Sequence, residues 1–340
     1  MMTQHEVVLN AKKTIGPYCK VCNQCNGIAC KGVIPGPGGK ASGIGFIRNY
    51  QAFREYGIQM DTLHGVTKPD CTFEAFGKTF ALPVFAAPVG AVTMHYSDTY
   101  DDLSYSETLI EGCKMAGSLA FTGDGVKAEV FNGTVDAIKR NDGYGVPTIK
   151  PWRKDEVVEK IRIAESANAV ALAMDVDAAG LSILAAQGKP VFPVSTDTLK
   201  EIISSTEKPF IIKGIMTVSS AIKALEAGAY GIIVSNHGGR VLDETPATLS
   251  VLPEIAAAVK GKMKIFIDGG IRSGLDVFKA IALGADAVLI ARPFVTAVYG
   301  GGSEGVQLYI KQLGDELTNA MLMTGCQTLS DINREKVRAL

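Results

Sequence analysis

The stretch "SNHGGR" (235–240) sets a histidine and an arginine three residues apart around a glycine pair, directly after the apolar run "GIIV". The chain holds only four histidines, so His237 in this turn invites a chemical reading. Imidazole is the side chain whose proton affinity suits transfer near neutral pH. Arg240 offers a planar fork to a carboxylate. Asp175 closes the run "AVALAMD", and a carboxylate on one imidazole nitrogen fixes the tautomer and raises the basicity of the other. Lys213 closes "PFIIK", and an ammonium at the end of an apolar run needs an anion: Asp175, Asp268 or a bound anionic cofactor. The bland alternative for His237 taken alone is a polar cap on a strand.

Two further turns, "FIDGGIRSG" (266–274) and "LIARPF" (289–294), place small residues and an arginine ahead of a helix. Backbone N–H groups exposed there, with Arg272 and Arg292 beside them, make an anion cradle. A glycine pair alone would be weak evidence, because turns need glycine anyway.

These residues need a frame. From residue 82, short apolar runs alternate with longer amphipathic segments. The strand candidates are 83–88, 118–123, 146–150, 169–175, 209–214, 231–236, 264–270 and 287–292. Between them lie helix candidates such as "WRKDEVVEKIRIAESA", "VSSAIKALEAGA" and "RSGLDVFKAIALGA". Eight strand–helix units predict an α/β fold, a closed (β/α)8 TIM barrel, with a doubly wound open sheet as the alternative. Barrel chemistry sits where strands end. Thr122, Lys150, Asp175, Lys213, Ser235, His237, Asp268 and Arg292 all fall there. The loops after the seventh and eighth strands are where barrels commonly hold phosphate.

Residues 1–80 read as an N-terminal arm, and 81–340 as the barrel. The first 45 residues, rich in cysteine and glycine, predict mostly loop, and residues 46–80 read as a linker with a short helix at "IRNYQAFREYG". Charges balance at 34 basic against 35 acidic, with no basic block, which argues against a nucleic-acid partner. No apolar stretch approaches the ~20 residues of a membrane span. The N-terminus lacks the apolar core of a secretory signal, so the expected compartment is the cytoplasm.

Seven cysteines are present, and Cys19, Cys22, Cys25 and Cys30 crowd into twelve residues as C-x2-C-x2-C-x4-C. Ferredoxin spacing has a shorter last gap and a following proline. Zinc sites usually separate two CxxC pairs. An iron–sulfur cluster, a zinc ion and a set of free thiols all stay open, as spacing does not separate them.

"IIVSNHGGRVLD" (232–243) followed by "IDGGIRSGLDVFKAIALGADAVLIARP" (267–293) resembles the FMN-dependent α-hydroxy acid dehydrogenases and oxidases, relatives of glycolate oxidase, lactate oxidase and flavocytochrome b2. The likeness is strong over about 208–330 and continues back to "LPVFAAPVGA" (82–91). It implies FMN as cofactor, oxidation of a small 2-hydroxy acid, and a homo-oligomer, either tetramer or octamer. Position by position it implies His237 as the base oriented by Asp175, Arg240 on the substrate carboxylate, and Lys213 beside the flavin's N1–C2 carbonyl. Ala87, Val89, Thr122 and Ser235 would contact the flavin. Asp268, Gly269, Gly270, Arg272, Ala291 and Arg292 would hold its ribityl phosphate. The electron acceptor would be oxygen, a quinone or a protein.

The chain departs from that pattern around the substrate. The family's N-terminal tyrosine falls at Gly39, its second tyrosine at Lys150 or Pro151, and the aromatic after strand 2 at Asp124. Its glutamine and threonine fall at about Ile149 and Ala173. Lys150 therefore joins Arg240 as a substrate-contact candidate, and the cysteine arm is expected to wall the active site. A flavin-dependent isopentenyl diphosphate isomerase-like activity without net redox chemistry, or a flavin- or metal-binding protein without catalysis, are the competing readings.

Overall fold

The computed structural model describes residues 2–340. Eight parallel strands close into a barrel in chain order: β1 (Val84–Ala86), β2 (Leu119–Thr122), β3 (Val146–Ile149), β4 (Leu172–Asp175), β5 (Phe210–Ile215), β6 (Gly231–Val234), β7 (Lys264–Asp268) and β8 (Ala287–Ile290). Strand β8 returns to β1 through the register Leu289↔Phe85. The (β/α)8 architecture is the one the alternation predicts.

Side chains along each strand point alternately in and out. Phe85, Phe121, Val146, Ala173, Ile211, Ile233, Phe266 and Leu289 fill the barrel interior. Ala86, Ala120, Ile149, Met174, Ile212, Val234, Ile267 and Ile290 pack under the surrounding helices. Two residues further along each strand, the same inward face carries Ala87, Gly123, Thr148, Asp175, Lys213, Ser235, Asp268 and Ala291. The barrel is thus apolar in its middle and polar at its upper rim, because one face of each strand changes chemistry at its last turn.

The opposite end is sealed by a hairpin, Phe73–Ala75 with Lys78–Phe80. Its Phe73 and Phe80 rings lie 6.0 and 4.9 Å from Phe85, burying aromatic surface under the barrel floor.

The arm is more ordered than its composition predicts. Helix α1 (Gln4–Thr14) opens with a Thr3–Glu6 capping box and buries Val7 and Ala11. It crosses the long C-terminal helix α3 (Arg292–Leu322) at Gly300, where a side chain would strike the Val7 carbonyl. The stripe is short, and it forms a helix only because α3 covers it. Helix α2 (Ile44–Ala52), the expected short helix, starts three residues early and ends in a 3-10 turn, Phe53–Glu55. Ala11, Ile15, Val21, Ala52 and Phe53 share one buried cluster with the helix-facing strand residues, so the arm has no separate core.

Candidate active site

The polar rim opens into a cavity of about 990 Å3, at the large end for small-molecule sites. Its wall includes Ala87, Val89, Lys150, Asp175, Lys213 and His237. Arg240, Asp268, Gly269, Gly270, Arg272, Ala291 and Arg292 complete the expected set that lines it. Thr122 and Ser235 do not. Phe121 faces the interior, so Thr122 is turned to the other face of β2, and Gly123 lines the cavity instead. Ser235, on the inward face, is fully buried, and its hydroxyl accepts the His237 backbone N–H at 3.1 Å.

His237 lies in a left-handed turn with Gly238 and Gly239, at φ 55°, 62° and 76°. Gly239 cannot be replaced without cost, since a side chain there would run into the backbone nitrogen of Phe46 in α2. The Asn236 amide donates to Asn49 Oδ1 at 3.1 Å and the Asn49 amide to Asn236 Oδ1 at 2.7 Å, which ties α2 to the same turn. A non-glycine residue held at positive φ is strained, and here close backbone packing holds it.

The imidazole Nδ1 of His237 is 3.0 Å from Asp177 Oδ1 and 3.4 Å from Asp175 Oδ1. Asp177, two residues past the end of β4, is therefore the nearer partner; sequence reasoning singled out only Asp175. Asp175 is also bonded to Lys213 Nζ at 2.8 Å and lies 3.5 Å from Lys150 Nζ. Lys213 further approaches Asp177 at 3.8 Å and Asp268 at 4.0 Å.

These charges shape one another. Burial would raise Asp175, but His237, Lys213 and Lys150 outweigh it and hold its carboxyl well below the usual range. Burial raises Asp177, and the Asp175 charge adds to that. Burial likewise raises Asp268. Burial would lower Lys213, yet the carboxylates of Asp175, Asp177 and Asp268 dominate and keep it firmly protonated. Asp175, Asp177 and His237 converge closely enough to hold a metal ion, but the Lys213 ammonium already supplies the positive charge there.

Two residues, His95 and Thr148, escaped the sequence, and the setting of Asp124 was not legible in it. His95 lines the cavity and its Nδ1 accepts the Gly36 N–H at 3.1 Å, so the ring is neutral with its proton on Nε2. Burial, with Arg240, Lys150 and His237 nearby, pushes its pKa down to about 3. Thr148, not Ile149, occupies the inward position on β3, and its buried hydroxyl has no partner among the described residues. Asp124 is withdrawn into a buried network: Oδ1 pairs with Lys160 Nζ at 2.9 Å, while Oδ2 accepts Trp152 Nε1 at 2.6 Å and the Lys150 N–H at 3.1 Å. That network fixes the loop presenting Lys150.

The arm does wall the cavity. Gly36 and Gly38 carbonyls accept from Arg240 Nη1 at 2.5 and 3.1 Å, and the Pro37 carbonyl from Arg292 Nε at 2.8 Å. A side chain at Gly39 would meet the Gly43 Cα at 2.9 Å, so the position of the family's tyrosine holds packed backbone. Burial and then Arg292 lower Arg240 to about 10, which leaves it charged at neutral pH. Arg272 Nε donates to the Cys25 carbonyl at 2.9 Å. Burial lifts the Cys19 thiol to about 11. Among the described residues, no three of the four arm sulfurs come within 4.8 Å of one another.

The residues present fit FMN. Asp268 Oδ1 and Thr148 Oγ1 are buried polar atoms on the cavity wall without protein partners among the described residues. A buried ammonium and a glycine–arginine rim complete a lining suited to a polar ring carrying an anionic tail.

The model of the FMN-dependent dehydrogenase family matches residues 37–194 and 184–339. An L-lactate oxidase of Lentilactobacillus hilgardii is 32% identical over 313 residues, covering 85% of each chain. The peroxisomal (S)-2-hydroxyacid oxidase GLO3 of Arabidopsis thaliana is 51% identical over 135 residues, and that match spans only 37% of its length. A mandelate oxidase structure with a difluorinated 2-hydroxy-3-phenylpropionic acid superposes with TM-score 0.80 at 25% identity, over 99% of this chain and 98% of that one. A mandelate oxidase variant carrying a monooxide FMN adduct gives TM-score 0.73 at 29% identity, over 86% and 90%. By the extent of these matches, the chain belongs to the FMN-dependent dehydrogenase family.

Proposed function

We propose that the protein oxidises a small 2-hydroxy acid to the 2-oxo acid. The observation that carries this reading is the His237–Asp177/Asp175 pairing at the same opening as Lys213 and Arg240. FMN, when bound, supplies the two-electron acceptor that no side chain offers. Asp268, Gly269, Gly270, Arg272, Ala291 and Arg292 would hold its ribityl phosphate, while Ala87, Val89 and Gly123 would contact its ring. Lys213 sets a fixed positive charge beside that ring.

Arg240 binds the substrate carboxylate through the guanidinium N–H groups left by its Nη1 contacts to the arm. With Nδ1 committed to a carboxylate, His237 takes the substrate's proton at Nε2, and the Asp177 and Asp175 charges stabilise the imidazolium. Lys150 and His95 replace the tyrosines as polar groups facing the substrate's far end. The arm segment 36–38 closes the site against water.

No helix among the described residues is long and apolar enough to cross a membrane. The reading includes a cytoplasmic, homo-oligomeric enzyme whose acceptor is oxygen, a quinone or a carrier protein. The non-redox isomerase reading has no specific observation behind it.

Anaerobic mixing with glycolate, lactate and mandelate tests the proposal. At least one should bleach the visible flavin band. A flavin that dithionite reduces but no 2-hydroxy acid does would overturn it.

A further inference from the structure

The catalytic reading leaves the thiols of the arm unused. Cys19, Cys22, Cys25 and Cys30 lie on one segment that ends in the 3-10 turn Ile28–Cys30, among them only Cys22 exposed, and the structure gives all four as free thiols. All four fall within twelve residues of the chain. Yet no three of their sulfurs, all among the described residues, fall within 4.8 Å of one another. A single tetrahedral zinc ion with Zn–S bonds of about 2.3 Å needs its sulfurs about 3.8 Å apart. A polynuclear core holds its thiolates further apart, because each sulfur binds a different metal atom. As placed, the sulfurs lack the convergence that a single tetrahedral ion needs, which leaves a polynuclear core as the metal site their number suits.

Its surroundings are cationic. Arg272 Nη2 lies 3.7 Å from Cys25 Sγ, and its Nε donates to the Cys25 carbonyl at 2.9 Å. Four thiolates around an iron–sulfide core carry net negative charge, and N–H donors to sulfur stabilise that charge. The loop is also built onto the site. Gly27, at φ 89°, sits over the Phe46 ring, which carries the Arg292 guanidinium 3.7 Å from its centroid.

We propose that Cys19, Cys22, Cys25 and Cys30 ligate an iron–sulfur cluster seated on the arginine rim of the cavity. Such a cluster gains and loses one electron at a time, and exposed Cys22 puts its outer edge at the solvent. The assignment does not depend on the flavin, because its assays read iron and sulfide whether or not flavin is bound.

The test is iron, acid-labile sulfide and zinc analysis of the full chain purified without oxygen, then reconstituted with ferrous iron and sulfide. The expected result is iron and sulfide in equal amounts, about four of each per chain. Dithionite should then add one electron per cluster and produce a paramagnetic signal. Cys22→Ser should lose the cluster while keeping its flavin, and Cys71→Ser, outside the loop, should keep both. Stoichiometric zinc without sulfide would overturn the assignment. So would the absence of iron after reconstitution, or a cluster that survives in Cys22→Ser unchanged.

Discussion

The His237 imidazole is held between two carboxylates, and the closer is Asp177, at 3.0 Å, with Asp175 at 3.4 Å. The two acids carry different burdens. Asp175 also neutralises Lys213 at 2.8 Å and approaches Lys150 at 3.5 Å, whereas Asp177 lies further from Lys213, at 3.8 Å. Orientation of the base and neutralisation of the buried ammonium are thus divided between them.

Substitution should separate the two jobs. Asp177→Asn is expected to fold and bind FMN but to slow flavin reduction by a hydroxy acid by ~10-fold or more, since the imidazolium loses its nearest anion. Asp175→Asn should lose ~3–5 kcal/mol of stability as well, because it leaves Lys213 without its closest partner in a buried site. Rapid-mixing kinetics and denaturant melts of both variants check the split. Equal stability loss in the two would contradict it.

His237→Gln removes the base while keeping side-chain volume. Flavin content should be unchanged, and flavin reduction should fall by roughly 10²–10⁴. Retention of the rate within a factor of ten, measured by anaerobic stopped flow, would remove His237 from the proton transfer.

Strand β5 explains why so much was legible in the sequence. Ile211 and Lys213 share the inward face while Ile212 turns out, so a strict period of two both predicts the strand and aims the lysine. The same rule mislocates Thr122 and Ile149 by one residue when a strand's start is misjudged, since each step of one reverses the face. Asp177 and His95 were not legible. Neither sits on a strand: Asp177 lies in a 3-10 turn and His95 ends a four-residue helix, so no periodicity aims them. Helix α1 was missed because its apolar stripe gains its meaning only against α3, nearly 300 residues away in the chain.

His95 yields a pH prediction. Its folded pKa of about 3 lies below the ordinary value of 6.5, so the unfolded chain binds a proton that the folded chain refuses. Stability from this residue is complete above pH 6.5 and is lost as pH falls toward 3. His95→Gln should flatten that part of the profile by a few kcal/mol at its low end, read by urea unfolding at pH 7 and pH 4. Parallel profiles for the two proteins would mean that the ring is protonated in the folded state.

Asp124 and Lys160 are a buried pair at 2.9 Å, with side-chain exposures of 0% and 9%. Removing one partner strands a charge, so Lys160→Met should cost ~3–5 kcal/mol, and Asp124→Asn a similar amount. The double variant strands neither and should recover a large part of that loss, giving a coupling energy well above that of a surface pair. The site should respond too. Asp124 Oδ2 accepts from Trp152 Nε1 and from the Lys150 backbone, so Asp124→Asn loosens the loop that presents Lys150. The single variant should therefore raise KM for the hydroxy acid more than it lowers kcat, whereas Lys160→Met, which leaves both of those bonds in place, should change stability with a smaller effect on KM. Thermal melts and steady-state kinetics on the full cycle distinguish a purely structural pair from one that also positions the substrate wall. Strict additivity in the melts would show that the two charges do not depend on each other.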